Sequence, residues 1–228
     1  MRAADISFDP ATTDAEFAKF SRIAAQAIFP TPVQPARSSG LLGFDIGVAA
    51  TAVKVDTSAP YWQHAVTNDF TTHGYVGVPR LVVSKGLSVA TVSGSYAKIS
   101  SSGVSTWGGA LDIPLLHGSI VMPEVALRGS FATVSGSPDF DAKVYGLEAF
   151  ISKGFGPVTP YGAIGKMRAD TNATIRFGGG LPDRTLAYKG DFNRYTAGVR
   201  LSLLVPKIAV EVTKAEVTSY EAKVSFGF

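Results

Sequence analysis

The chain has 228 residues, of which 46% are hydrophobic. It contains no run of about 18 uncharged apolar residues, so a transmembrane helix is excluded, and its many strand and turn residues favour an all-β fold. The absence of cysteine excludes disulfides, thiolate metal sites and cysteine nucleophiles. The net charge is only +3 and the basic residues are dispersed, so we expect no nucleic-acid partner.

One amphipathic helix is predicted near the N-terminus, over roughly residues 13–28. Thr13 and Glu16 have the spacing of a capping box. The apolar face of this helix comprises Phe17, Phe20, Ala24 and Ile28. Prolines end the helix and residues 36–40 resemble a linker, so segment 1–40 is predicted to be distinct from 41–228. The start lacks the apolar segment of a signal peptide, and we interpret the chain as the mature form of an exported protein.

From residue 41 onward, apolar and polar residues alternate with the period of a β-strand. Ten strands are predicted, at 41–56, 76–85, 87–100, 104–114, 119–133, 140–153, 157–170, 191–203, 206–216 and 218–228. Most of these are close to the ~9–11 residues that a tilted strand needs to cross a bilayer. The pattern therefore predicts an all-β, closed antiparallel barrel.

The connections between the predicted strands differ in length on the two sides of the barrel. Two long segments, 57–75 and 171–190, lie on one side, whereas tight turns such as 85–86 and 154–156 lie on the other. Long loops outside and short turns in the periplasm are typical of outer-membrane barrels. An even number of strands also places residue 41 and the C-terminus on the same side.

The last strand resembles the C-terminal signature of bacterial outer-membrane proteins. It ends Val224-Ser225-Phe226-Gly227-Phe228, and its apolar face holds Tyr220, Val224, Phe226 and Phe228. The resemblance covers roughly residues 41–228. At the level of the superfamily, the chain is similar to the small OmpA-type and OmpW-type barrels. It implies a transmembrane β-barrel in the bacterial outer membrane, surrounded by lipid and recognised by the barrel-assembly machinery through this strand.

The aromatic residues near the strand ends favour a membrane barrel over a soluble one. Two belts are predicted, with Trp107, Phe131, Tyr195 and Tyr220 near the long loops and Phe44, Tyr161, Phe226 and Phe228 near the short turns. Bilayer interfaces select such belts. A soluble β-sandwich with a charged exterior would show a similar alternation, and it remains the alternative.

The polar faces of the strands carry acids and bases in nearly equal number. The residues predicted to line the lumen are Asp45, Arg80, Asp112, Glu124, Arg128, Glu148, Lys166, Arg168, Arg194, Arg200, Glu211, Glu221 and Lys223. Charges in so narrow a bore must pair, because an unpaired charge in a confined site is costly. The sequence therefore predicts a narrow or closed conduit. The alternative is that these ions only stabilise the barrel.

Three positions are open to the N-terminal helix. It can fold into the lumen as a plug, lie on the periplasmic membrane surface, or dock a periplasmic partner. We favour plugging or capping of the periplasmic mouth, with the plug formed by Phe17, Phe20, Ala24 and Ile28. Two classes of function follow, namely a narrow or plugged channel for small solutes and a structural or anchoring protein without transport. No enzymatic activity, cofactor or metal site is predicted, since His64, His73 and His117 form no convincing catalytic or ligand pattern.

Overall fold

The computed structural model describes residues 6–36, 41–66, 71–98, 104–119, 121–177, 182–203 and 205–227. Phe228, linker residues 37–40 and part of the loop 57–75 lie outside these ranges. The described elements are α1 Asp14–Ile28, β1 Phe44–Lys54, α2 Pro60–Gln63, β2 Tyr75–Gly86, β3 Thr91–Lys98, β4 Ser105–Leu116, β5 Glu124–Ser135, β6 Phe140–Ser152, β7 Val158–Ile175, β8 Arg184–Ser202, β9 Pro206–Lys214 and β10 Thr218–Gly227.

The ten strands form one closed antiparallel barrel, as predicted. Each strand pairs with its neighbours in the chain, and β1 closes the ring by pairing with β10, from Asp45 opposite Gly227 to Val53 opposite Ser219. Within the part of the barrel that its apolar outer face surrounds, closure gives every strand a bonded neighbour on both sides, which hydrocarbon demands of a spanning structure. We call the end with the connections β1–β2, β3–β4, β5–β6, β7–β8 and β9–β10 the long-loop end, and the opposite end the short-turn end.

Large apolar side chains form a belt around the outside of the barrel. Exposed members on successive strands include Val48, Leu81, Leu111, Leu147, Ile151, Ile164, Val210 and Val224. The inward positions that alternate with them are buried and mostly small or polar, as in β1, where Asp45, Gly47 and Thr51 point inward. Such a belt is far larger than the apolar patches that soluble monomers expose, so the barrel spans a membrane.

The aromatic belts lie largely where the sequence predicts them. Trp107, Tyr195 and Tyr220 are exposed toward the long-loop end, and Phe226 is exposed at the short-turn end. The prediction is wrong for Tyr161, whose side chain is buried and points into the lumen.

The predicted long loop 171–190 is instead a tall β-hairpin. β7 continues to Ile175 and β8 begins at Arg184, and the ladder between them pairs all of β7 from Val158 onward. Outward positions on this extension are polar apart from Ala187, so no apolar face marks the strand period there. The hairpin therefore rises beyond the apolar belt at the long-loop end.

Helix α1 begins as predicted, with Thr13 as its N-cap. The Thr13 hydroxyl accepts from the Glu16 amide at 3.3 Å, and the Glu16 carboxylate accepts from the Thr13 amide at 2.8 Å. Within the described residues, no helix has the length and apolar character needed to cross a membrane.

Candidate functional site: the sealed lumen

The interior of the barrel toward the short-turn end is crossed by ion pairs between strands, one of which reaches from β8 to β6 across β7. Arg128 binds Asp112 through two parallel bonds of 2.6 and 2.9 Å, and both side chains are only 1% exposed. Arg194 donates to Glu148 at 2.9 Å. Such bidentate and charge-assisted bonds are the arrangement that buried ions need, so these wall charges are held in place rather than free to bind solute.

A third pair lies near the short-turn rim. Lys223 donates to Asp45 at 2.9 Å, and Ser225 donates to the second oxygen of the same carboxylate at 3.0 Å. Lys207, on β9, lies 3.5 Å from the same carboxylate of Asp45. Two cations therefore surround one carboxylate, and the interior polar groups come from β1, β9 and β10.

The chain that follows α1 runs down the bore and fills it. Every residue from Ala25 to Ala36 is buried. Phe29 packs beneath Arg194, whose guanidinium carbon lies 4.6 Å from the centroid of the Phe29 ring. Val33 contacts inward side chains of β1, β2 and β9. Proline-rich residues 30–35 suit this path, because a chain that lacks some amide hydrogens leaves fewer donors to satisfy inside the wall.

Arginines of the barrel wall donate hydrogen bonds to backbone carbonyl oxygens of this segment. Arg80 donates to the carbonyl oxygens of Phe29 and, at 3.2 Å, Ala27, as well as to the Thr51 hydroxyl at 2.6 Å. Arg128 donates to the Gln34 carbonyl at 3.1 Å. The same charges that brace the wall therefore also hold the segment.

Side chains of the segment complete the polar network. The Gln34 amide oxygen accepts from Lys223 at 2.9 Å and its nitrogen donates to Ser84 at 3.3 Å. Thr31 donates to Glu211 at 3.1 Å, and Tyr161 donates to the other oxygen of that carboxylate at 2.8 Å. The segment is thus integrated into the network instead of lying loosely within a solvent channel.

Toward the long-loop end the lumen contains an apolar core built on α1. The rings of Phe8, Phe17, Phe20 and Phe140 pack together with centroid separations from 5.3 to 6.1 Å; three of the contacts are edge-on and that between Phe8 and Phe140 is tilted. A cavity of about 70 Å³ remains between α1 and the wall, lined by apolar side chains that include Trp62. Sites for drug-sized ligands span about 300–1,000 Å³, so this cavity is a packing gap and not a conduit.

Polar contacts attach α1 to the long loops. Arg22 binds Glu216 at 2.7 Å, Gln26 donates to the Val217 carbonyl at 3.0 Å, and His64 lies 3.2 Å from the Glu16 carboxylate. The backbone hydrogen bond from Thr13 and the contact with His64 lower the pKa of Glu16 below its ordinary value. His64 therefore serves to tie the helix to the loop.

α1 lies inside the lumen, as the plug prediction requires, but at the long-loop mouth rather than at the short-turn mouth that the favoured prediction chose. Residues 29–36 run through the bore toward the short-turn end. Segment 1–40 is consequently no separate domain where it is described, because its buried core and polar contacts are those of the barrel. The apolar face of α1 packs against inward residues of the strands instead of against lipid.

The structure brings most of the predicted lumen residues together. Buried on inward positions are Asp45, Arg80, Asp112, Arg128, Glu148, Arg194, Arg200, Glu211, Glu221 and Lys223. Glu124 is half-buried at the short-turn rim. The prediction is wrong for Lys166 and Arg168, which point outward.

The error on β7 has a physical cause. Its inward face near the long-loop end holds Met167, Ala169 and Ala173, which pack beside α1, so there the apolar side faces the bore. Arg168 instead pairs with Asp191 on the outer surface of the hairpin, with bonds of 2.6 and 2.9 Å and about half of each side chain exposed. An apolar plug thus reverses the rule that polar faces point inward.

The residues of the predicted assembly signal lie on the outer face of β10. Tyr220, Val224 and Phe226 are each about half exposed, whereas Phe228 lies outside the described residues. Their recognition by the assembly machinery stays a prediction.

Sequence reasoning missed the residues through which the segment is held, namely Phe29, Thr31, Gln34 and Tyr161. For the first three, the only signal was a proline-rich stretch with polar residues between the prolines, which is also typical of a linker.

No protein-family model matches the chain, and no curated protein matches it. Among solved structures, it is similar to the N-terminal β-barrel domain of Pseudomonas aeruginosa OprF, with 11% identity, 81% of this chain and 97% of that chain covered, and a TM-score of 0.38. It is also similar to the KdgM porin (12% identity, 81% and 99% covered, TM-score 0.39) and to the Acinetobacter baumannii outer membrane protein Omp33 (12%, 82% and 100%, 0.31). The membrane-barrel assignment rests on the closed ladder and outer apolar belt of the chain itself.

Proposed function

We propose that the protein is a bacterial outer-membrane barrel sealed by its own N-terminal segment, and that it anchors and presents its long-loop end without conducting solutes. The observation that carries this proposal is the continuous burial of residues 25–36 along the bore, with their carbonyl oxygens bound by wall arginines. The proposal includes no catalytic role.

The energy needed to open the bore supports a permanent seal. Withdrawing the segment would expose Phe17, Phe20 and Phe29, at about 1.5–3 kcal/mol each. It would also remove acceptors from Arg80 and Arg128, at about 1–3 kcal/mol each. The total is comparable with the whole stability of a typical domain, about 5–15 kcal/mol. Opening of this kind is therefore not an ordinary thermal fluctuation.

The outer-membrane location is supported by the same features that place the barrel in a bilayer. Strand β1 begins and strand β10 ends at the short-turn end, and β10 exposes an apolar outer face. We place the long-loop end outside the cell and the short-turn end in the periplasm. A tag in the β7–β8 turn would then be labelled on intact cells.

A plugged channel is the second candidate, and one observation favours it. The pairs Arg128–Asp112 and Arg194–Glu148 join strands to each other, so they would persist and line a polar bore if the segment were displaced. A partner that withdrew the segment would then open a narrow path for small solutes.

Planar-bilayer recording tests the seal, and protease resistance of residues 25–36 in the intact protein discriminates a permanent seal from a gating plug. We expect the wild-type protein to be silent and a variant lacking residues 1–39 to show current steps, after gel mobility with and without boiling has shown that both are folded. Steps from the intact wild type would contradict the seal. If the truncated variant does not fold, resistance of the segment to protease in the intact protein provides the same test, since a gating plug would be cut.

A further inference from the structure

The rim of the barrel drops abruptly between β8 and β9. β8 pairs with β7 up to Arg184, opposite Ile175. On its other side β8 pairs with β9 only over residues 195–202, and β9 ends at Lys214, opposite Tyr195. If the register continued past Lys214, the turn residues 215–217 would lie opposite residues 192–194 of β8 and reach no further. One edge of β8 therefore rises clear of its neighbour over Arg184–Asp191, which we call the free edge.

Among the residues that the structure describes, no backbone hydrogen bond or isolated bridge occupies the free edge. In an antiparallel strand, alternate residues direct their amide and carbonyl groups to opposite sides. About half of the residues of the free edge thus present both groups to solvent. At ~3.3 Å per residue, the free edge is about 26 Å long.

The free edge lies beyond the membrane. Outward residues of β8 on the short-turn side of Tyr195 are apolar, such as Val199, whereas those beyond it are Asn193, Asp191 and Lys189. Unpaired backbone groups are forbidden in hydrocarbon but tolerated in water. Helix α1 meets the inner face of the β7–β8 hairpin, where Arg22 lies over the Tyr188 ring, and this contact leaves the free edge uncovered.

We infer that the free edge is a docking site for an extended segment of another protein, which adds to β8 as an antiparallel strand. An exposed edge of this length is a template for strand addition, in which backbone bonds provide affinity and alternate side chains provide selectivity. A second copy in the same membrane does not fit, because two β8 strands that both descend toward the bilayer cannot run antiparallel to each other.

The charges of β8 define the chemistry of the partner. On the occupied edge, β7 places Asp170 3.4 Å from Lys189 and Arg168 2.6 Å from Asp191. Lys189 and Asp191 are exposed on the outer surface and are within reach of a strand on either side. On β7 a base, Arg168, stands two residues before an acid, Asp170. A partner strand with the same spacing can form the same two ion pairs, with Asp191 and Lys189, from the free edge.

The probe for this site is a fluorescein-labelled synthetic peptide with the sequence of residues 166–175, added to the full-length protein in detergent micelles. Its matched control has the same composition with the Arg168 and Asp170 positions exchanged. Two exposed ion pairs predict about tenfold weaker binding of the control by fluorescence anisotropy. A second control, N-methylated on alternate amides, keeps the side chains but loses backbone bonding and is expected not to bind.

The matched protein variant carries Lys189→Asp and Asp191→Lys together, which preserves net charge. These side chains are exposed, so folding is expected to survive and is checked by gel mobility. The variant should reverse the preference between the two peptides. The inference is overturned if folded wild type binds neither peptide, if the N-methylated peptide binds as well as the parent, or if the preference does not reverse.

The inference rests on the proposed function only in placing the free edge outside the cell. Peptide binding in micelles does not depend on whether the bore is sealed, so a conducting wild type would refute the seal and leave this result unaffected.

Discussion

Two ion pairs with the same geometry but different burial test how the lumen is stabilised. Arg128–Asp112 and Arg168–Asp191 each have bonds of 2.6 and 2.9 Å. The first pair is 1% exposed on both sides, whereas the second is 54% and 46% exposed. Burial is therefore the main variable between them.

Asp112→Asn should destabilise the barrel by about 3–5 kcal/mol, because it leaves the buried Arg128 charge without a carboxylate. Asp191→Asn on the outer surface should change the stability far less than Asp112→Asn, because water screens the charge that remains. The double variant Arg128→Met with Asp112→Leu should recover much of the loss, since no uncompensated charge is left. The free energy of unfolding is measured by urea titration in lipid vesicles, with tryptophan fluorescence and gel mobility as probes.

Equal effects at the two pairs would refute this reasoning. So would a double variant that is no more stable than Asp112→Asn alone, because the cost would then arise from lost packing or from the bond between Arg128 and the N-terminal segment rather than from an isolated charge.

Three further outcomes are expected. Phe20→Ala should cost about 3–5 kcal/mol in the same titration, because Phe20 is buried against Phe140 and its removal leaves a cavity; a cost below about 1 kcal/mol would argue against a packed core at the long-loop mouth. The lowered pKa of Glu16 means that its contribution to helix attachment is complete above its ordinary value of 4.5 and is lost as the pH falls through the lower value in the folded protein. The protection factors of the α1 amides, which correct for the intrinsic pH dependence of exchange, should therefore fall on acidification, and Glu16→Gln should abolish that fall; an unchanged profile in the variant would show that Glu16 is not the group responsible. Gln34→Ala should stay silent in planar bilayers, because the carbonyl of residue 34 still meets the wall, whereas current steps would indicate a gate held by side chains.

The period of two between apolar and polar residues was enough to predict the closed barrel. A strand places successive side chains on opposite faces, so a run such as Tyr220, Ala222 and Val224 identifies a face without reference to the rest of the chain. The buried charges followed from the same rule, and most of them lie where the alternation placed them. The capping box of Thr13 and Glu16 is equally local, and it predicted where α1 begins.

Only the tertiary structure decided what fills the barrel and which face of each ambiguous strand points into the lumen. The position of α1 depends on contacts between residues far apart in the chain, such as Arg22 with Glu216, which no local pattern encodes. Near the long-loop end, the inward face of β7 is apolar because α1 lies against it. Arg168 therefore points outward, although the alternation alone is equally consistent with a position in the lumen. The period identifies two faces; what lies against each face determines which of them is inside.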